Sequence, residues 1–151
     1  MVTFGYRMEQ LKIRSVTWNV AALDKPVNFS FEELLGSQES MRQQAYDMYI
    51  IGFQEVSARV DKYLFDTIMN GDDPWTLAVI DTLKPHGYIK IRSIRLLGIV
   101  LSVFCLTKHI TYLRNIETQY TRLGYGYIGL KGAVSVRFEL YGTSYCFVCW
   151  Y

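Results

Sequence analysis

The chain has 151 residues, enough for one domain with a sizeable core, since a folded chain of this length buries roughly 68–70% of its unfolded surface. Its residues are 50% hydrophobic, 15% aromatic and 20% charged, which excludes a disordered tail or a low-complexity linker. A formal charge of +2 permits an anionic partner but gives no case for nucleic acid, which needs a concentrated basic face.

The start, Met1-Val2-Thr3-Phe4-Gly5-Tyr6-Arg7, lacks the basic opening and apolar core of a secretory signal. The longest apolar run, Leu96 to Leu106, is far shorter than the ~20 residues of a membrane-spanning helix and reads as a buried strand. Cys105, Cys146 and Cys149 form no disulfide framework, so a reducing, cytoplasmic compartment is expected. The C-x-x-C spacing of Cys146 and Cys149 puts the two thiols on opposite faces of a strand, where they cannot share a metal without a turn.

In chain order, Lys12 to Val20 alternates, with Val16, Trp18 and Val20 on one face and Thr17 and Asn19 on the other, as a half-buried strand does. Ser30-Phe31-Glu32-Glu33 reads as a capping box for a short helix reaching Gly36, and 36–44 as a flexible loop. Asp47 to Phe53 is apolar on both faces, the pattern of a central strand, and Glu55 emerges where it ends. Val60, Leu64 and Ile68 predict an amphipathic helix ending near Asn70-Gly71, and Asp73-Pro74 starts another that stops before Pro85. His86 and His109 lie in loop-like contexts without partners at ligand spacing, whereas Tyr63 and Trp75 have the spacing of core residues. From there the pattern is β: Tyr88 to Ile94, Leu96 to Leu106, Ile110 to Glu117, Gly132 to Tyr141, a turn at Tyr141-Gly142-Thr143, and Thr143 to Trp150. The result is an α/β chain without a domain boundary.

Asn19 and Glu55, each at the end of an apolar strand, are oxygen donors of the kind a hard cation such as Mg²⁺ takes. Read from the residues alone, Asn19 is more readily a strand-end cap than a ligand, and Glu55 can be an ordinary first-turn acid near a helix dipole.

The runs Thr17-Trp18-Asn19-Val20, Gly52-Phe53-Gln54-Glu55-Val56 and 124–134 (Gly-Tyr-Gly-Tyr-Ile-Gly-Leu-Lys-Gly-Ala-Val), in that order, resemble the inositol polyphosphate 5-phosphatases. Leu97-Gly98-Ile99-Val100-Leu101 and 112–118 (Tyr-Leu-Arg-Asn-Ile-Glu-Thr) add to the likeness, especially to the skeletal-muscle-and-kidney-enriched and proline-rich members. The resemblance implies part of a four-layer α/β sandwich, the endonuclease/exonuclease/phosphatase fold, with mixed, mostly antiparallel sheets and flanking helices. It implies residues 1–151 as a partial catalytic domain, and Mg²⁺-dependent removal of the 5-phosphate from a phosphoinositide or soluble inositol polyphosphate. Peripheral contact with a membrane surface fits such a substrate. Glu55 would then be a metal ligand, Asn19 would lie beside metal and scissile phosphate, and Lys131 would approach the substrate's phosphates. A nuclease of the same superfamily shares the Trp-Asn and Gln-Glu pairs, but the Gly-rich run at 124–132 and the absence of a strongly basic face argue against it.

Departures from the family pattern bear on activity. Leu130 stands where the family has an asparagine before the lysine, and Cys149, Trp150 and Tyr151 stand where it has asparagine, a small residue and histidine. Its later Gly-Asp-x-Asn and Pro-Ala-Trp-Thr-Asp-Arg runs have no counterpart, so a C-terminal portion of the domain is expected to be missing. Losing a general base costs ~10²–10⁴ in rate, and an inactive or nearly inactive chain is the expectation. The alternative function is a non-catalytic remnant, an inositol-phosphate- or protein-binding module of the same family.

Overall fold

The structure is a computed structural model that describes residues 10–23, 30–56, 72–123 and 131–151. Strand β1 (Ile13–Asn19) is followed by short helices α1 (Glu32–Leu35) and α2 (Gln38–Arg42), then β2 (Met48–Gln54), helix α3 (Pro74–Leu83), β3 (Tyr88–Leu96) and β4 (Ile99–Leu106). A 3₁₀ segment, Thr107–Tyr112, leads into β5 (Leu113–Leu123), β6 (Lys131–Leu140) and β7 (Thr143–Trp150).

The strands form two sheets, a first in the order β1-β2-β4-β3 and a second in the order β5-β6-β7. Among the described strands, β1 and β2 pair in parallel and the other pairings are antiparallel. This is the expected α/β sandwich with mixed, mostly antiparallel strands. Residues of β2 and β4 are buried almost without exception because both faces of the first sheet are covered. Tyr49, Ile51, Phe53, Val100 and Phe104 pack with Trp75, Val79 and Leu83 in a helix-side core. Met48, Ile50, Leu101 and Val103 pack between the sheets with Val134, Val136 and Phe138.

Helix α3 begins as its sequence predicts: Asp73 Oδ1 accepts from the amides of Trp75 and Thr76, and Pro74 opens the first turn. It ends at Leu83, before Pro85. The hairpin between β6 and β7 also lies where the alternation puts it.

Several expectations need correction. The segment 36–44, read as a loop, contains α2, capped by Ser37, whose Oγ accepts from the Ser40 amide at 3.2 Å. Only Met41 of that helix is buried, so its polar sequence shows no apolar periodicity. The capping box is not formed: α1 starts after Phe31, and Ser30 Oγ accepts from the Glu32 amide at 3.3 Å. The apolar run Leu96 to Leu106 is interrupted, because Leu96 ends β3 and a turn at Leu97-Gly98 precedes Ile99. The strand expected from Ile110 starts at Leu113, after the 3₁₀ segment, and continues to Leu123. The helix expected around Val60, Leu64 and Ile68, with Tyr63, lies outside the described residues.

The two sheets are also joined by polar contacts. The ring of His109, which is buried, bridges Asp47 Oδ1 at 2.8 Å through Nε2 and the Tyr141 hydroxyl at 2.7 Å through Nδ1. Asp47 precedes β2 in the first sheet, and Tyr141 lies in the β6–β7 turn of the second. His109 is thus a core histidine satisfied on both nitrogens, at the opposite end of β2 from Glu55.

Candidate active site

The parallel register of β1 and β2 sets the site. Asn19 pairs with Gln54 at the ends of the two strands, and the chain continues past each pair in step, with the Val20 amide on Gln54 O at 2.9 Å and the Ala22 amide on Glu55 O at 2.8 Å. Strand alternation keeps Trp18 on the helix side, where its ring meets Trp75 edge-on at 5.2 Å. Asn19 therefore points away from that aromatic core, on the face that carries Thr17.

Glu55 leaves β2 with φ 54, a left-handed conformation unusual for a residue with a side chain. Ala21, Ala22 and Leu97 share positive φ at the same rim. The Leu97-Gly98 turn lies against Glu55: Gly98 O accepts from the Val56 amide at 3.0 Å, and a Cβ on Gly98 would stand 3.5 Å from Glu55 Cα. Such sparsely populated backbone persists where its surroundings impose it, and it concentrates at functional sites.

The side chains converge on one carboxylate oxygen. Asn19 Nδ2 donates to Glu55 Oε1 at 2.8 Å, while Asn19 Oδ1 accepts from the Ala21 amide at 2.8 Å. The Tyr151 hydroxyl donates to the same Oε1 at 2.6 Å. Oε2 has no hydrogen-bond partner among the described residues. The amide of Asn19, then the hydroxyl of Tyr151, hold the Glu55 carboxyl below the usual glutamate range, and the same contact with Glu55 raises the Tyr151 phenol. Glu55 is therefore ionised throughout the neutral range.

Beneath this rim the second sheet approaches the first closely. Gln54 Nε2 donates to Thr17 Oγ1 at 2.6 Å and to Cys149 Sγ at 3.2 Å. A pocket of about 260 Å³ opens there between β1, β2 and β7, lined among others by Ser15, Thr17, Gln54, Cys149 and Trp150. Burial raises the Cys149 thiol, so it is a packing group and not a nucleophile. Cys146 is exposed while Cys149 is buried, on opposite faces as their spacing requires.

Of the three residues singled out from the sequence, Asn19 and Glu55 are in direct contact. Lys131 opens β6, exposed and opposite Leu123, and makes no hydrogen bond or ion pair among the described residues. Its neighbour Gly132 exchanges both backbone hydrogen bonds with Tyr151, each at 3.0 Å. The sequence did not single out Tyr151 as a partner of Glu55. Its only signal was its position, aligned with a histidine in the family pattern.

A half-buried, ionised carboxylate with one oxygen tethered and one open is a suitable anchor for a hard divalent cation, which takes one or two carboxylates and completes its shell with water and substrate oxygens. Among the described residues no group of three His, Cys, Asp or Glu side chains could enclose a metal.

The two-sheet sandwich with polar groups at adjoining strand ends defines the class of the protein. The model of "Endonuclease/Exonuclease/phosphatase family 2" matches residues 16–150, and the chain belongs to that family. Its curated relatives are inositol polyphosphate 5-phosphatases. Mouse "Inositol polyphosphate 5-phosphatase K" is 38% identical over 133 residues, 87% of this chain and 27% of the relative. Human "Phosphatidylinositol 4,5-bisphosphate 5-phosphatase A" is 36% identical over 139 residues, 91% of this chain and 13% of the relative. The chain thus spans about a quarter or less of the length of these relatives.

Among solved structures, the inositol polyphosphate 5-phosphatase domain of SPsynaptojanin, in complex with inositol (1,4)-bisphosphate and calcium ion, matches with a TM-score of 0.72 and 25% identity. The match covers 93% of this chain and 40% of that domain's chain. A Cimex nitrophorin ferrous NO complex matches with a TM-score of 0.70 at 22% identity, over 93% of this chain and 46% of its own. That likeness is of fold alone, and the sandwich does not by itself set the chemistry.

Proposed function

We propose that the chain is a partial catalytic domain, 1–151, of a phosphoinositide 5-phosphatase, and that it supplies the cation anchor for Mg²⁺-dependent hydrolysis of the 5-phosphate. One observation carries the reading: the 2.8 Å contact between Asn19 and Glu55, which joins the two strand-end motifs around a single ionised carboxylate. The substrate class follows from relatives that are inositol polyphosphate 5-phosphatases and from a solved neighbour bound to inositol (1,4)-bisphosphate.

In this reading Glu55 would hold the cation, and Asn19, which keeps that carboxylate aimed, would lie beside the metal and the scissile phosphate. Bound Mg²⁺ supplies Lewis acidity and charge neutralisation for an in-line attack by water. Lys131, exposed at the start of β6, reaches out as a point charge for a substrate phosphate. No helix among the described residues is long and apolar enough to cross a membrane. The proposed setting is cytoplasmic, with the substrate met in solution or at a membrane surface.

The test is phosphate release by the purified chain from phosphatidylinositol 4,5-bisphosphate vesicles, with and without Mg²⁺, for the parent and for Glu55→Gln. Only a trace release is expected, in keeping with a nearly inactive chain, and it should require Mg²⁺ and fall a further ~10²-fold in Glu55→Gln. Release indifferent to chelation or to Glu55→Gln would overturn the proposal. A second reading, a non-catalytic remnant that binds inositol phosphates, is favoured by Leu130 and by the end strand Cys149-Trp150-Tyr151, which depart from the family pattern. It predicts saturable binding of the same vesicles without phosphate release.

A further inference from the structure

We infer that Tyr151 is a positioning residue for Glu55: its hydroxyl and the Asn19 amide together hold Oε1, so that Oε2 alone is presented to a divalent cation. This rests on the reading of Glu55 as the cation anchor.

The geometry supports the assignment from both sides of the contact. On the carboxylate, Oε1 receives donors at 2.8 Å from Asn19 and 2.6 Å from Tyr151, and Oε2 receives none among the described residues. A carboxylate so loaded has one oxygen with its lone pairs engaged and one with them open. That arrangement favours coordination through a single oxygen, with water and substrate completing the shell of a hard cation. The short O–H···O⁻ contact is of the charge-assisted kind, roughly twice as strong as a neutral one.

On the tyrosine side, the phenol is placed by the second sheet and not by a free tail. Tyr151 exchanges two 3.0 Å backbone hydrogen bonds with Gly132, and Gly132 itself lies under Thr121 O and Leu96 with no room for a side chain. Glu55 and Asn19 belong to the first sheet. The tyrosine hydroxyl therefore ties the orientation of the carboxylate to the packing of one sheet on the other, across 96 residues of sequence. Groups that orient a metal ligand in this way typically contribute 10–100-fold in metal affinity.

The experiment uses Tb³⁺ as a luminescent hard cation, displaced by Mg²⁺, on the full chain and on its Tyr151→Phe and Glu55→Gln variants. Carboxylate difference infrared spectra report whether one oxygen or both bind. Tyr151→Phe keeps the ring, and equal unfolding midpoints establish that the fold is retained. The expected result is a 10–100-fold weaker Mg²⁺ displacement constant for Tyr151→Phe. The carboxylate bands should be those of single-oxygen binding in the parent and shift towards two-oxygen binding in the variant. Unchanged or tighter binding by Tyr151→Phe, or two-oxygen binding in the parent, would overturn the inference while leaving Glu55 as the anchor. Binding that survives Glu55→Gln would instead overturn the anchor itself, and the role of Tyr151 with it. If the folds differ, the infrared bands of the parent decide the matter alone.

Discussion

Replacing Gly132 with alanine tests the packing that brings the two sheets to the site. The added methyl would lie 2.5 Å from Thr121 O and 2.6 Å from Leu96 Cδ2, against the ~3.5–4.0 Å at which non-bonded carbons are comfortable. Leu96 can rotate the end of its side chain away. Thr121 O cannot move without disturbing β5, because Thr121 and Arg122 pair with Ala133 and Gly132. Overpacking against backbone of this kind costs about 2–3 kcal/mol. For a chain of this length that is a fall of roughly 4–12 °C in Tm, read by circular dichroism or by the urea midpoint. Gly142→Ala supplies the contrast. It meets nothing within 4 Å but sits at φ 78, so its penalty is that of the backbone alone, about 1–2 kcal/mol. Since Gly132 also bonds Tyr151, only the first substitution should weaken cation binding at Glu55. If Gly132→Ala unfolds within about 0.5 kcal/mol of the parent, the close approach of the sheets described above is wrong.

Two further outcomes follow from the polar core and the thiols. Burial pushes the Asp47 carboxyl up, but the Lys12 amide, His109 and Lys108 outweigh it and leave the group below the ordinary value. A depressed carboxyl contributes stability above its unfolded pKa of about 3.9 and loses it as pH falls through the lower folded value. Urea midpoints of the parent should therefore fall more steeply than those of Asp47→Asn between about pH 5 and 3, and parallel curves would refute the bridge's electrostatic role. Among the thiols, burial pushes Cys105 up to about 12 and also raises Cys149, while Cys146 is exposed. A disulfide reagent at neutral pH should modify Cys146 in the native chain and the other two only on unfolding, with mass spectrometry of the labelled peptides as the measure.

Much of the fold was readable where one physical signal dominated. The alternation of β1, the doubly apolar β2, the Asp73-Pro74 start of α3 and the β6–β7 hairpin all follow from local pattern. The misses share a different cause. Helix α2 buries only Met41, so its stability comes from the Ser37 cap and not from a stripe. The break at Leu97-Gly98 is hidden inside a continuous apolar run, because both β3 and β4 have buried ends there. At the site, the sequence pointed to Asn19 and Glu55 through their strand ends, and the structure joins them. Tyr151 was not legible in that role, since its contact depends on how β6 and β7 stack on the first sheet. The His109 bridge was missed for the same reason: its partners lie 62 and 32 residues away.

The in-register pairing of Asn19 with Gln54 has a consequence for how such a chain can vary. Strands β1 and β2 act as paired measuring rods, each residue advancing about 3.3 Å and turning to the opposite face. Deleting or inserting one residue in either rod would leave the sheet able to form but would exchange Asn19 or Glu55 for a side chain aimed at the aromatic core. Substitutions along the rods only alter their packing, and length changes beyond their ends leave the gauge untouched. The site thus tolerates drift in composition far better than drift in count.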